Sequence, residues 1–382
     1  MKKILVISNL YPSDWQPNKA TFNKQQFDQL SKYSKLSILV PVAWPEWLRA
    51  SKAQRQPRTT ECGIDIRYPW YFYTPKIIPS LYSMFMLLSL LINSWRWIKR
   101  GKHDVLLASW AYPEGVVTAC LAKLLRKDFL IKVHGSDIND TCQYPMRAKQ
   151  IVWACNRAKG VIAVSEALKK RLITLGVKED KIHLIYNGVN KEVFYVDQRI
   201  TRKNYLLYVG NLKANKGVIE LISAFIALRA KHPNLTLKVA GTGAMLPVMQ
   251  KEIAQAGLSA AVEFLGSVAH KSIADLIRPA KLVILPSYAE GVPNIILESI
   301  SCGTPVVATT VGGIPEVVNS KTGVLVAPKN VEALTLGIEE ALDKMWSSKE
   351  ICLQATKFDW DLNALALAEQ LFAKNNHQSK VD

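Results

Sequence analysis

Residues 286–309, PSYAEGVPNIILESISCGTPVVAT, decide the fold. The apolar run leading into them, LVILPS (282–287), reads as a buried strand. The loop behind it holds Glu290 and Gly291, and Asn294 opens a helix carrying Glu298. Gly303-Thr304-Pro305 then restarts the sheet. Strand, loop, helix and strand in this order build a parallel sheet, and such sheets bind ligands beyond the carboxyl ends of their strands. The loop offers backbone N–H groups at a helix N-terminus, which suit a diphosphate or sugar hydroxyls. Glu290 stands in the loop and Glu298 about one turn inside the helix, so the two carboxylates address different parts of one extended ligand.

The same alternation extends in both directions. Tyr205–Val209, Leu235–Ala240, Val262–Leu265, Pro305–Ala308 and Gly323–Val326 read as further strands, with helices such as Glu220–Lys231 and Asn294–Ser301 between them. In the first half, Ile4–Ile7, Leu36–Val40, Val105–Ala108, Phe129–Val133 and Val161–Val164 repeat the pattern, with a helix near Phe22–Ser34. A chain of 382 residues has room for two domains. The expected architecture is α/β, with two Rossmann-like doubly wound domains facing a cleft. The boundary falls near Asn187–Thr201, giving domains of 1–190 and 191–361. The final helix, about 362–382, has no strand after it and is expected to pack back on the first domain.

Composition narrows the class. Hydrophobic residues at 49% and charged residues at 21% describe a folded globular protein rather than a disordered one. The six cysteines form no C-x-x-C pair, so neither a disulfide framework nor a structural zinc site is expected, and a reducing compartment fits. The apolar run of MKKILVISNL is too short for a signal peptide and reads as a first strand. Net charge is +18 and uneven. Residues 1–190 hold 29 Lys and Arg against 13 Asp and Glu, a balance of +16; residues 191–382 hold 20 against 18, a balance of +2. The first half is therefore expected to face something anionic, either nucleic acid or an anionic membrane surface.

The region 44–102 favours the membrane. It carries Trp44, Trp47, Trp70, Trp95 and Trp97 among ten basic residues, including Lys76, Arg96, Lys99, Arg100 and Lys102, with only three acids. Within it, Ile77–Trp95 runs 19 residues without a charge. A span there would split the first sheet across the bilayer, and Pro79 and four serines weaken a lipid-facing helix, so an interfacial or buried helix is expected. Trp favours the membrane interface and Lys and Arg favour an anionic leaflet. No nucleic-acid module is legible.

At 286–309 the chain resembles glycosyltransferase family 4, the retaining enzymes of GT-B type, through their Glu-x7-Glu signature. Other stretches are similar to the family in order: HGSDIN (134–139), AVSEALKKRL (163–172), LIYNGVNKEVF (184–194), YVGNLKANKGVIELISAF (208–225), VAGTGA (239–244) and FLGSVAHKSI (264–273). The resemblance implies a nucleotide-sugar donor, with UDP or GDP as carrier. Glu298 would bind the ribose hydroxyls. Glu290 would contact the donor sugar, beside backbone groups of Gly291, Val292, Pro293 and Asn294. Lys216 would neutralise the diphosphate, with Gly210, Gly217 and Gly241 allowing close backbone approach and Asn211 at its rim. His134 would sit by the transferred sugar, with Asp137 orienting it or binding acceptor. The chain departs from the family in two places: many members have Arg where it has Asn211, and many have glycine where its first loop has Ala20.

No metal and no cofactor is implied, the nucleotide-sugar being a substrate. Asp359-Trp360-Asp361 has a metal-binding spacing but precedes the last helix, where an aspartate caps. The remaining histidines, 103, 183, 232, 270 and 377, read as structural. The expectation is a cytoplasmic glycosyltransferase, peripheral on the inner face of the membrane, acting on a lipid-linked or envelope polysaccharide acceptor. A soluble acceptor such as a sugar phosphate is the alternative.

Overall fold

The computed structural model describes residues 1–74 and 77–373. Lys76 and residues 374–382, which include His377 and the end of the expected terminal helix, lie outside them. The chain divides into two units: Met1–Gly188 joined by the chain from Trp360, and Val189–Asp359.

In the first unit the strands are Lys3–Ile7 (β1), Lys35–Leu39 (β2), Val42–Ala43 (β3), Arg58–Thr59 (β4), Asp65–Arg67 (β5), Trp70–Tyr71 (β6), Val105–Ser109 (β7), Asp128–Val133 (β8), Gly160–Ala163 (β9) and Ile182–Leu184 (β10). Eight of them form one sheet in the order β10-β9-β8-β7-β1-β2-β5-β4, parallel except where β4 meets β5; β3 and β6 pair separately. The sequence pattern missed β3 to β6 and β10, because two or three residues carry no legible alternation. β7 and β9 are buried throughout and β1, β2 and β8 along most of their length, as sheets covered by helices require.

The second unit has Tyr205–Val209 (β11), Thr236–Ala240 (β12), Val262–Gly266 (β13), Leu282–Leu285 (β14), Val306–Thr309 (β15) and Gly323–Val326 (β16). All are parallel, in the order β13-β12-β11-β14-β15-β16. Counted within the unit this is third, second, first, fourth, fifth, sixth, the Rossmann order, and its direction reverses between β11 and β14. The first unit reverses between β1 and β7. The loops leaving these four strands are where each unit can hold a ligand.

The amino edge of the first sheet accounts for part of the basic excess. Helices Val116–Leu125, Pro145–Arg157 and Trp360–Phe372 end there around a hollow of 780 Å³ lined by Lys123, Lys127, Arg157, Lys159, Lys181 and His183. Carbonyls at helix C-termini carry partial negative charge and attract cations. Lys159 Nζ donates to Leu371 O and Ala373 O, and Lys181 Nζ donates to Ala158 O. These lysines serve the fold rather than an external anion.

The helix Trp360–Phe372 is fastened to the first unit by Ala364, Leu367, Ala368 and Leu371 in its core and by a buried polar network. Gln26 Nε2 donates to Asn363 Oδ1, and Asn363 Nδ2 donates to Tyr186 O. Lys132, on β8 and 0% exposed, donates from Nζ to Gln26 Oε1 at 2.8 Å and Asn187 Oδ1 at 3.0 Å. Both its acceptors are neutral, and burial pulls the Lys132 ammonium down to about 7.

The helix Tyr82–Asn93 is apolar on both faces, with Met86 and Leu90 in the core. Its serines face inward: Ser83 Oγ donates to Gln150 Oε1, and Ser89 Oγ accepts from Phe72 N–H. Met84, Leu88 and Ile92 face outward four residues apart, Ile92 at 79% exposure, with Phe72, Ile77 and Ile78 also exposed. Among the described residues no helix is long and apolar enough to cross a membrane. The tryptophans are half-buried instead: Trp44 and Trp47 donate from their indole N–H to Tyr73 O and Tyr68 O, and Trp95 and Trp97 pack on the core.

The buried lysine makes stability depend on pH. An unfolded Lys132 keeps its proton to about 10.5, whereas the folded one releases it near 7. Between those values the unfolded state binds more protons, so stability rises with pH. Wild type is expected to gain up to about 1.4 kcal/mol per pH unit relative to Lys132→Gln across that window. Urea unfolding of both proteins at several pH values measures it. A difference that does not change with pH refutes a neutral buried lysine.

Candidate functional site

The donor residues expected from the sequence gather at the reversal point of the second sheet. β11 ends into Gly210 and Asn211, and a 3-10 turn, Ala214–Lys216, leads to Gly217 and the helix Val218–Arg229. β14 ends into the loop 286–293, and Asn294 starts the helix Asn294–Ser301 as expected. The two loops interlock through the backbone. Tyr288 N–H donates to Asn215 O, and Gly217, at φ 65°, lies so close to Pro286 that a Cβ would meet its carbonyl oxygen at 2.0 Å. Gly241, at the end of β12, presses on Gly210 in the same way, with 1.8 Å from an added Cβ to Gly210 O. No side chain other than glycine fits either place.

This approach brings the charged groups together. Lys216 Nζ donates to Glu290 Oε1 at 2.6 Å, across 74 residues of sequence. Tyr288 OH donates to Glu220 Oε1, and Thr309 Oγ1 donates to Ser287 O, so the loop is braced on both sides. Gly313 N–H donates to Gly291 O, and Val292 is buried. Asn211 is exposed, and its carbonyl accepts from Tyr208 OH. Pro293 occupies the cap position of Asn294–Ser301 and supplies no side-chain acceptor to the helix start. Glu298 is 7% exposed on this helix. Its Oε1 lies 2.7 Å from His270 Nε2, a contact the sequence gave no sign of because 28 residues separate the two.

The first unit holds a second cluster beyond β1, β7 and β8. His134 follows β8, with its ring tilted against Phe22 at 5.1 Å and stacked on Trp110 at 5.9 Å. Trp110 reaches it with φ 149° and ψ 135°, a strained backbone for a non-glycine residue. The imidazole partner is Ser109, Oγ to Nε2 at 2.9 Å, not Asp137. Burial and the Lys132 ammonium push His134 well below the usual histidine range, so it is neutral near pH 7. Asp137 Oδ1 accepts from His134 N–H and Gly135 N–H, and Oδ2 accepts from Ala111 N–H. Burial raises it to about 6 against these bonds. Both its oxygens accept from the backbone, so Asp137 shapes this loop. Glu114, fully buried, is a further acid that the sequence did not single out. Burial raises it to about 7; Oε1 accepts from Asn9 N–H and Oε2 has no partner. Ala20 adopts φ 48° at the end of the first loop, the left-handed conformation that glycine favours.

Asp359 and Asp361 are engaged by lysines, Asp359 with Lys191 and Asp361 with Lys32.

Residues 190–357 match the family described as glycosyl transferases group 1, and residues 47–193 match glycosyltransferase family 4. An uncharacterized glycosyltransferase of Methanocaldococcus jannaschii is 31% identical over 214 residues; the match spans 52% of this chain and only 54% of that relative. TuaC of Bacillus subtilis, named for teichuronic acid biosynthesis, is 26% identical over 96% of this chain and 97% of its own length. The crystal structure of Anabaena HepE in complex with UDP matches with a TM-score of 0.68 at 21% identity, covering 97% of this chain and 96% of its own, a likeness of fold. With one family match in each half of the chain and the GT-B fold in its two parallel α/β units, this chain belongs to glycosyltransferase family 4.

Proposed function

We propose that the protein is a retaining, metal-independent transferase that moves one sugar from a UDP- or GDP-sugar to a lipid-linked or envelope polysaccharide precursor at an anionic membrane surface. The observation that carries the donor half is the Lys216–Glu290 pair at the reversal point of the second sheet. A cation beside helix N-termini is what a departing diphosphate needs, and a carboxylate beside it accepts from sugar hydroxyls. HepE was solved with UDP and with UDP-glucose, which supports a nucleotide-sugar donor. Lys216 and the backbone N–H groups supply the charge that a metal supplies elsewhere. Glu298 takes the ribose, and His134, neutral and held by Ser109, contributes hydrogen bonding to the sugar rather than charge.

The outward apolar stripe of Tyr82–Asn93 supports the membrane half. A helix that buries Met86 and Leu90 and still exposes Met84, Leu88 and Ile92 in one stripe suits an apolar phase, and Arg96, Lys99, Arg100 and Lys102 follow it, all exposed. Its aliphatic face, not tryptophan, is the part that inserts. TuaC, named for an envelope polymer, favours the acceptor class.

Three outcomes follow. Glu298→Ala should weaken nucleotide diphosphate binding about 10- to 100-fold through lost charge-assisted hydrogen bonds, and Lys216→Ala should cut turnover about 100-fold or more. Calorimetry and initial rates measure these, and near-normal values for either variant refute its role. Sugar transfer should persist in EDTA, and loss of activity that magnesium restores would overturn the metal-independent mechanism. The protein should bind anionic vesicles at low salt, less at high salt and less to neutral vesicles. Changing Arg96, Lys99, Arg100 and Lys102 to Glu, or Leu88 and Ile92 to Gln, should release it while nucleotide affinity stays unchanged. Failure of wild type to float with anionic vesicles at low salt would replace this acceptor by a soluble one.

A further inference from the structure

His270 opens the helix His270–Ile277, which follows β13. It lies outside the expected donor residues, yet it makes a side-chain hydrogen bond to Glu298, 2.7 Å from Nε2 to Oε1. A carboxylate exposed by only 7% has little water to fix its rotamer, so its orientation depends on a protein donor. The imidazole is itself fixed. Its ring packs at 5.1 Å and 57° on Phe194, which is 1% exposed in the segment that opens the second unit. Burial works against a charged imidazole here, but the hydrogen bond and the charge of Glu298 outweigh it and raise His270 above the ordinary histidine value. The 2.7 Å separation is that of a strong hydrogen bond, and the raised imidazole favours its charge-assisted form. The imidazole engages Oε1 and not Oε2.

We propose that His270 is a positioning residue: through Oε1 it holds the Glu298 carboxylate in the rotamer that offers Oε2 to a vicinal diol, and so sets the discrimination between ribonucleotide and deoxyribonucleotide donors. This rests on the reading of Glu298 as the ribose residue. His270 does not touch the nucleotide and acts only through the carboxylate. Removing it leaves Glu298 free to swing, with one buried oxygen unpaired, while the diphosphate contacts of Lys216 and the loop backbone stay as they are. The effect is therefore specific to the sugar hydroxyls of the nucleoside.

The test measures dissociation constants of UDP, GDP and ADP and of their 2′-deoxy forms by calorimetry, for wild type, Glu298→Ala, His270→Ala and His270→Gln. Wild type should bind its preferred ribonucleotide about tenfold or more tighter than the deoxy form. Glu298→Ala should abolish that preference, His270→Ala should reduce it several-fold with little change in affinity for the deoxy form, and His270→Gln, which keeps an N–H donor, should restore most of it. In the double variant the two losses should not add. Selectivity unchanged in His270→Ala, or equal losses for both nucleotide forms, while Glu298→Ala remains selective in its effect, would overturn the role of His270 and leave the ribose assignment standing. Loss of selectivity in His270→Gln as large as in His270→Ala would overturn the hydrogen-bond basis even if the alanine variant is poorly folded. An unaltered preference in Glu298→Ala, or no binding of any of the three nucleotides to wild type, would instead overturn the donor-site reading itself.

Discussion

In a parallel sheet every crossover returns the chain to the same edge, so helix N-termini collect beyond the carboxyl ends of the strands and helix C-termini collect at the opposite edge. Each unit is thereby polarised. At the carboxyl edge the free N–H groups and the dipoles favour an anion. Lys216, Glu290 and Glu298 stand there in the second unit, and Glu114, His134 and Asp137 in the first. At the amino edge the same helices need cations, and Lys159 and Lys181 answer carbonyl oxygens directly. A basic hollow at that edge is thus a consequence of the fold, and its charge is no guide to where a substrate binds.

The carboxyl edge of the second unit is built by contact between backbones. Gly217 against Pro286 and Gly241 against Gly210 leave no room for a side chain. That closeness sets Lys216 on Glu290 and ties Tyr288 to Asn215. A site built from interlocked loops is already shaped before a ligand arrives, so little reorganisation opposes binding. The first unit spends its buried polar groups differently. Lys132, Gln26, Asn363 and Asn187 form a network with few charges to offset, which fastens the last helix, while burial, with the Lys132 ammonium second, lowers His134.

The region around the helix Tyr82–Asn93 shows how composition misleads and where it informs. Five tryptophans among ten basic residues point to the membrane, but the rings are half-buried in the unit, Trp44 and Trp47 with their indole N–H groups on backbone carbonyls and Trp95 and Trp97 packed on the core. The exposed apolar surface falls to Met84, Leu88 and Ile92 instead. An uncharged stretch of 19 residues identifies the segment; which face it turns outward depends on Gln150 and Phe72 accepting or donating at Ser83 and Ser89.

The sequence by itself determined the α/β class, the strands of four or more residues, the helix Asn294–Ser301 and the family, because hydrophobic period, loop glycines and the Glu-x7-Glu spacing are local properties of the chain. Local patterns also led to Lys216, Glu290 and Glu298 one at a time. Only the tertiary structure decided what each one faces: Lys216 on Glu290, His270 on Glu298, Ser109 rather than Asp137 on the His134 ring, and a buried Glu114 with one oxygen unpaired. The return of the last helix onto the first domain was expected from the sequence; the structure decided its partners there, such as Gln26 on Asn363. These partners lie 25 to more than 100 residues apart, from Ser109 and His134 to Asn9 and Glu114. No periodicity encodes such distances, since they are fixed by which strand ends the sheet order makes neighbours and by which buried polar groups must find a partner away from water.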